Sequence, residues 1–236
     1  LQKDLMAQIA ELDAFAHTVA HDLKSPMALI VGYTELLQAE EPGLDPEVRG
    51  QYLEKVHKAG RKAVNIIDEL LLLASVRQQD VHMQPIDMAS VVMLAEDRLA
   101  YMIDTYKATI HRPESWPAAL GYAPWVEEIW ANYLSNALKY GGQPPHIELG
   151  AEETDANFIR FWIRDNGPGI PKEKQATLFT EFVRLSEKRV EGDGLGLSIV
   201  QRIINKLSGE AGVVSQEGAG SEFYFTLPAV QPDGRM

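Results

Sequence analysis

In the first third of the chain the apolar residues follow a helical repeat in two runs. In the first, Leu5, Ile9, Leu12, Ala16, Val19 and Leu23 are separated alternately by four and three positions, the spacing of a coiled-coil seam, and the pattern resumes at Ile30 and Leu37. Glu40-Glu41-Pro42-Gly43-Leu44-Asp45-Pro46 breaks it with turn residues. A second seam runs through Leu53, Val56, Gly60, Ala63, Ile67, Leu70 and Ala74, flanked by Tyr52, Ala59, Ile66 and Leu73. That stripe is wider than one partner helix fills. The pattern therefore predicts a helical hairpin that pairs with a second copy into a four-helix bundle.

Around Gln78 to Pro85 the helical period ends, and strand patterns begin to alternate with helical ones. Helices are predicted near Ala89–Lys107, Ala123–Tyr140 and Gly194–Ser208. Strands are predicted at Ala118–Tyr122, His146–Glu152, Asn157–Asp165, Glu210–Gln216 and Glu222–Leu227, with weaker candidates near Met83 and Ile110. Apolar helices on one side of a mixed sheet make a two-layer α/β sandwich. The expected fold class is thus α+β, with a hairpin over 1–79, a sandwich over 80–236, and a frayed tail from Gln231.

Composition narrows the function. The 236 residues include no cysteine, so thiol catalysis, disulfides and cysteine zinc sites are excluded. A formal charge of −12 argues against a sequence-independent nucleic-acid binder, and any phosphate site has to be local. No apolar run approaches the roughly 18 residues of a membrane span, so no membrane contact is expected in this stretch. The opening Leu1-Gln2-Lys3-Asp4-Leu5 lacks an initiator Met and a basic n-region and is already in helical register. A cytoplasmic piece of a longer protein is expected, with an input region, soluble or membrane-anchored, upstream.

His21-Asp22-Leu23-Lys24-Ser25-Pro26 lies in the first helix. With Ile9, Ala16 and Leu23 at a and Leu12 and Val19 at d, His21 falls at the outward f position and His17 at b. An exposed helical histidine is ordinarily just a solvated side chain. Here, however, a carboxylate adjoins it. A neutral imidazole attacking phosphorus must shed its ring proton, and Asp22 is placed to orient the ring and accept that proton. Pro26 cannot donate to the carbonyl of Asp22 and should bend the helix, and Lys24 can help to hold a phosphate.

Three later segments have the chemistry of a nucleotide site. Asn132, Asn136 and Lys139 share one side of a helix, with amide oxygens suited to Mg²⁺, a cation for phosphates and, at Tyr140, an aromatic face for a base. Asp165-Asn166-Gly167-Pro168-Gly169 follows an apolar strand; its carboxylate can accept from an exocyclic amine, and Gly167 and Gly169 permit a tight turn. Gly192, Gly194 and Gly196 open a helix whose amides suit a polyphosphate, although the run is neither a Walker A loop nor a dinucleotide fingerprint. Between these glycine clusters, Phe179 and Phe182 anchor a charged stretch, Ser186–Glu191, that reads as a lid. Singly, each segment also has a plain structural reading: a wet helix face, a hairpin turn, a helix start.

Together and in this order, the blocks resemble the transmitter core of bacterial sensor histidine kinases over almost the whole chain. The resemblance implies a dimerisation and phosphotransfer hairpin followed by a Bergerat-fold ATPase domain. It implies His21 as phospho-acceptor with Asp22 as acid/base partner, and ATP and Mg²⁺ as cofactors, the metal held by Asn136 with help from Asn132. Lys139 and Tyr140 would serve the phosphates and base, Asp165 would read adenine, and Gly167, Gly169, Gly192, Gly194 and Gly196 would shape the pocket. Arg184 would approach the γ-phosphate. A homodimer and a response-regulator receiver, docking just below His21, are the implied partners. Ser25, Glu181 and Asp193 depart from the usual pattern, and Asp193 puts a negative charge in the loop expected to cradle phosphate. A hydrolytic ATPase of the same superfamily and a silent nucleotide-binding scaffold remain the alternatives.

Overall fold

A computed structural model describes residues 2–39, 43–78, 81–154, 157–176, 178–179 and 196–230. Within the long helices, side chains are described from Val19 onward except at 21, 69, 73, 77 and 78. The chain divides into two compact units, Leu1–Ala74 and Ser75–Met236.

The first unit holds α1 (Gln2–Ala39) and most of α2 (Pro46–Gln78). Asp45 starts α2, its carboxylate accepting from the Glu47 amide at 2.8 Å. Helix α1 continues through Pro26 rather than ending there. The two helices meet where Tyr33 lies 5.3 Å from Tyr52, ring to ring, and Lys55 Nζ donates to Tyr33 Oη at 2.9 Å. On α2 the buried residues are Ala59, Ala63, Ile66 and, at its end, Val76; on α1 they include Pro26 and Asp22. Ala59 and Ile66 of the flanking set are thus buried together with Ala63 of the seam. Leu53, Val64, Ile67 and Leu71 stay exposed, as do Met27, Leu29, Val31 and Leu36 of α1. A single copy leaves this apolar surface uncovered.

The second unit runs β1 (Gln84–Ile86), α3 (Met88–Arg98), α4 (Ala100–Tyr106), β2 (Thr109–His111), β3 (Ala119–Gly121), α5 (Ala123–Tyr140), β4 (His146–Glu153), β5 (Phe158–Asp165), α6 (Lys172–Gln175), α7 (Gly196–Lys206), β6 (Ala211–Ser215) and β7 (Ser221–Pro228). Five strands form a sheet in the order β2-β4-β5-β7-β6, parallel only between β2 and β4; β1 and β3 pair separately. Helix α5 packs against α3, α7 and β5. Its interior face is Trp125, Ile129, Trp130, Tyr133, Leu134 and Leu138, and β5 and β7 turn Ile159, Phe161, Ile163, Phe223, Phe225 and Leu227 toward the same core. Trp130, Phe161 and Phe225 meet there, with Phe161 stacked on Phe225 at 5.3 Å. Tyr133 Oη donates to the Tyr224 carbonyl at 3.0 Å, and its burial pushes the phenol well above its ordinary pKa.

The outer face of the sheet is polar. Glu222 accepts from Arg160 and Arg164, each at 2.7 Å, and these guanidiniums lie over Tyr224 and Trp162. Two glycines lie beneath those rings: Gly150 pairs across the strands with Trp162, and Gly212 with Tyr224. Elsewhere the expected helix over 89–107 is split at Leu99, whose amide bonds the Glu96 carbonyl and closes α3. Asp87 caps α3 by accepting from Ser90. The short helix α6 was not foreseen. The weak candidates near Met83 and Ile110 correspond to β1 and β2.

Candidate active site

Pro124 in its first turn starts α5, whose amphipathic face then carries it to Tyr140, where the Gly141 amide bonds the Ala137 carbonyl at 2.9 Å. The half-buried C-terminal side of this helix collects the candidate residues. Asn136 Nδ2 donates to Asn132 Oδ1 at 3.2 Å. Lys139 is half-buried with no ion-pair partner among the described residues, and Tyr140 is 42% exposed.

Strand β5 delivers Asp165 to the same place. Its carboxylate is buried and accepts from the Gly167 amide at 2.8 Å. Burial pushes this carboxyl above the ordinary aspartate value, against the amides of Gly167 and Ser221, which pull it down. Gly167 closes onto the helix end: a Cβ there would stand 2.5 Å from the Tyr140 carbonyl oxygen and 2.7 Å from Asp165 Oδ1. The first residue of α7, Gly196, is pressed against the Asn132 side chain, where a Cβ would lie 2.8 Å from Cγ. Residues widely separated in sequence thus converge on one half of α5.

Gly169 is not brought to this cluster. With φ at +72° it packs against the β6–β7 turn, where a side chain would collide with the Gln216 carbonyl. The turn is secured by Gly218 donating to the Pro168 carbonyl at 2.7 Å and by Ser215 Oγ, which accepts from the Ile170 amide and donates to the Gly220 carbonyl, both at 2.8 Å. Ser215 and Gln175 brace this turn, Gln175 Nε2 donating to the Ile170 and Ser215 carbonyls at 2.7 and 2.9 Å, and Asn166 bonds the Gly142 and His146 amides, none of the three having been a candidate from the sequence. Only Asn166 had a signal there, its place inside the Asp165–Gly169 motif.

Arg184, Gly192, Gly194, Glu181, Asp193 and the lid stretch lie outside the described residues. His21 lies in α1, and its side chain, like that of His17, is outside what is described. Its neighbour Asp22 is buried, at 9% exposure. The described residues contain no group of three metal-ligating side chains of the His, Cys, Asp or Glu kind. None of their helices is long and apolar enough to cross a membrane.

Comparison with known proteins supplies the family. The His Kinase A (phospho-acceptor) domain family matches residues 11–79, and the family of histidine kinase-, DNA gyrase B- and HSP90-like ATPases matches residues 121–231. The adaptive-response sensory kinase SasA of Synechocystis sp. is 32% identical over 238 residues, 96% of this chain and 62% of that protein. The sensor protein kinase PmrB of Pseudomonas aeruginosa is 29% identical over 221 residues, covering 91% and 45%. Histidine kinase ThkA, solved in complex with the response regulator protein TrrA, shares the fold at a TM-score of 0.75 and 18% identity, over 98% of this chain and 65% of that one. Full-length ShkA, solved in complex with AMPPNP, gives 0.64 at 23% identity, over 95% and 46%. The chain spans between 25% and 63% of the length of such curated relatives.

Proposed function

We propose that this chain, which belongs to the histidine-kinase family and carries its phospho-acceptor domain ahead of its ATPase domain, binds Mg-ATP and transfers the γ-phosphoryl to His21. Residues 1–79 serve dimerisation and phosphotransfer, and residues 80–236 bind the nucleotide. The observation that carries the reading is the convergence of Asn136, Asp165 and Gly196 on the C-terminal half of α5.

Each residue then has a chemical task. Asn136 gives its Nδ2 to Asn132, which leaves its carbonyl oxygen as a hard ligand for Mg²⁺, with Asn132 holding that amide in place. Lys139 neutralises phosphate charge, and Tyr140 lends its ring to the base. The Asp165 carboxylate accepts from the adenine amine, in a loop closed by Gly167. The α7 amides beginning at Gly196 face the polyphosphate. Arg184, Gly192 and Gly194 take their roles from the family resemblance alone.

For the transfer, the imidazole nitrogen of His21 attacks phosphorus in line, the bond from phosphorus to the β–γ bridging oxygen breaks, and ADP departs. Asp22 orients the ring and takes its proton. Positioning and charge neutralisation supply the rate. The phosphohistidine then passes its group to an aspartate of a response-regulator receiver; ThkA, which shares the fold, was solved with such a regulator. The uncovered apolar residues of the hairpin support a homodimer.

Incubation with γ-labelled ATP tests the reading. An acid-labile, base-stable label should appear on the wild type and be lost in His21→Gln while nucleotide binding persists. A labelled His21→Gln protein defeats the acceptor assignment. An unlabelled wild type that releases phosphate is a hydrolytic ATPase, and one that only binds nucleotide is a scaffold.

A further inference from the structure

Asn166 follows the buried Asp165 but lies on the exposed side of the backbone. Its side chain makes three hydrogen bonds, all to the stretch from the loop that leaves α5 to the first residue of β4. Oδ1 accepts from the Gly142 amide at 3.0 Å and the His146 amide at 2.8 Å, and Nδ2 donates to the Pro144 carbonyl at 3.3 Å. The fit is tight from the other side too: a Cβ on Gly142 would stand 2.7 Å from Asn166 Cγ and 2.8 Å from Oδ1. This loop begins where α5 ends, one residue beyond Tyr140.

We infer that Asn166 is a positioning residue for the nucleotide, clamping the exit of α5 to the end of β5 so that Lys139 and Tyr140 stay in register with Asp165 and Gly167. The inference rests on the nucleotide-binding reading above. Asn166 touches no reacting atom in that reading; it acts through the helix end. Its role differs from plain structural support because the groups it binds lie near solvent: His146 and Pro144 are exposed and Gly142 is half-buried. Water can satisfy those amides when the side chain is removed, so the fold loses little. What is lost is the fixed position of the helix end.

The two faces of the loop motif therefore do separate jobs. Asp165 points inward to the base, while Asn166 points outward and holds the wall that the base and phosphates lean on. A carboxylate at position 166 would keep the two shorter bonds, which it accepts, and exchange the longer one for a repulsion between its second oxygen and the Pro144 carbonyl.

Autophosphorylation kinetics of the full chain separate the possibilities. Asn166→Ala should raise the KM for ATP about tenfold with kcat nearly unchanged, while circular dichroism and Tm stay close to wild type. Asn166→Asp should restore part of the affinity, through the two bonds it keeps to Gly142 and His146. Gly142→Ala, which intrudes on Asn166 from the facing side, should reproduce the defect, and the double variant should be no worse than either single one. Amide exchange at Gly142 and His146 should quicken in Asn166→Ala and not in Asn166→Asp. An unchanged KM, a failure of Asp to rescue, or multiplying defects in the double variant overturns the clamp. Should Asn166→Ala fail to fold, Gly142→Ala alone decides by the same criterion. Titration of the wild type with a fluorescent ATP analogue keeps the two levels apart: a wild type that binds none overturns the underlying reading and the clamp with it, whereas a binding wild type matched by Asn166→Ala overturns the clamp only.

Discussion

Gly196 rests directly on the Asn132 side chain, so that the first residue of α7 and the middle of α5 share one contact surface with no space for a methyl group between them. Asn132 is in turn the acceptor for Asn136. A side chain added at 196 has to displace Asn132 and with it the amide proposed to hold Mg²⁺. Overpacking of this kind costs about 1–3 kcal/mol. Gly196→Ala should lower Mg-ATP affinity about tenfold, and lower it less when Mg²⁺ is omitted. Calorimetric titration with and without the metal measures the difference; equal losses would separate Asn132 from the cation.

Two carboxylates on adjacent strands should give opposite pH signatures. The folded-state pKa of Asp165 is raised by burial, so the native protein holds that proton more tightly than the unfolded chain. Ionised Asp165 therefore costs stability at neutral pH, a cost that vanishes once the pH falls below its ordinary value of 3.8. Asp165→Asn should raise the Tm of the nucleotide-free protein at pH 7, lose that advantage in acid, and bind ATP more weakly throughout. At Glu222, burial pushes the pKa up, but Arg160 and Arg164 outweigh it and hold the carboxyl below the ordinary 4.5. Its contribution is present above that value and disappears as the pH drops through the folded pKa. Glu222→Gln should destabilise at pH 7 by no more than about 1 kcal/mol, given solvent screening, with the gap closing in acid. Thermal melts of both variants from pH 3 to 8 check the signs.

The outer face of the sheet offers a control remote from the nucleotide. Trp162 covers Gly150, and a Cβ at 150 would lie within 2.8 Å of the indole. Gly150→Ala should destabilise by about 1–3 kcal/mol through displacement of that ring, leaving ATP affinity per folded molecule unaltered. Denaturant unfolding alongside nucleotide titration reads both quantities; a loss of affinity would show that the two faces of the sheet are coupled.

The hairpin surface is tested by charge. Ile67 and Leu71, one helical turn apart on α2, are 45% and 64% exposed in a single copy. If a second copy covers them, Ile67→Asp with Leu71→Asp should convert a dimer to a monomer, because burying two carboxylates without partners costs several kcal/mol. Light scattering coupled to gel filtration gives the mass directly. A double variant that remains dimeric would place the interface elsewhere.

Elements with a long, regular repeat could be read from the chain alone. The two hairpin helices, α5, and the alternating strands β5 and β7 announce themselves by period. Asp165 was legible because a carboxylate at a strand end followed by glycines is a local pattern. The break at Leu99 was not, since apolar residues continue in step through Ala95, Leu99, Met102 and Ile103 and neither Gly nor Pro marks it. Strands β1 and β2 are three residues each, too short for alternation to show. Heptad spacing located the apolar stripe of α2 but could not say which part the hairpin itself would use. The burial of Asp22, one position from the seam residue Leu23, likewise follows from tertiary packing that no local pattern shows. The clamp made by Asn166 was hidden for a similar reason: two of its partners, Gly142 and Pro144, sit in a loop whose shape no periodicity encodes.

Strand β5 is the third of five, bonded on both sides, and Asp165 is its last residue. An edge strand can peel away while the rest of a sheet survives, but a central one parts from its neighbours only when the whole layer comes undone. The carboxylate assigned to the base therefore stands at the end of a strand that is paired on both sides, with Ile147 and with Ser221. If Asp165 reads the base as proposed, local breathing that loosens the grip on phosphate should leave that mark standing, so that selectivity for the base outlasts affinity for the phosphates.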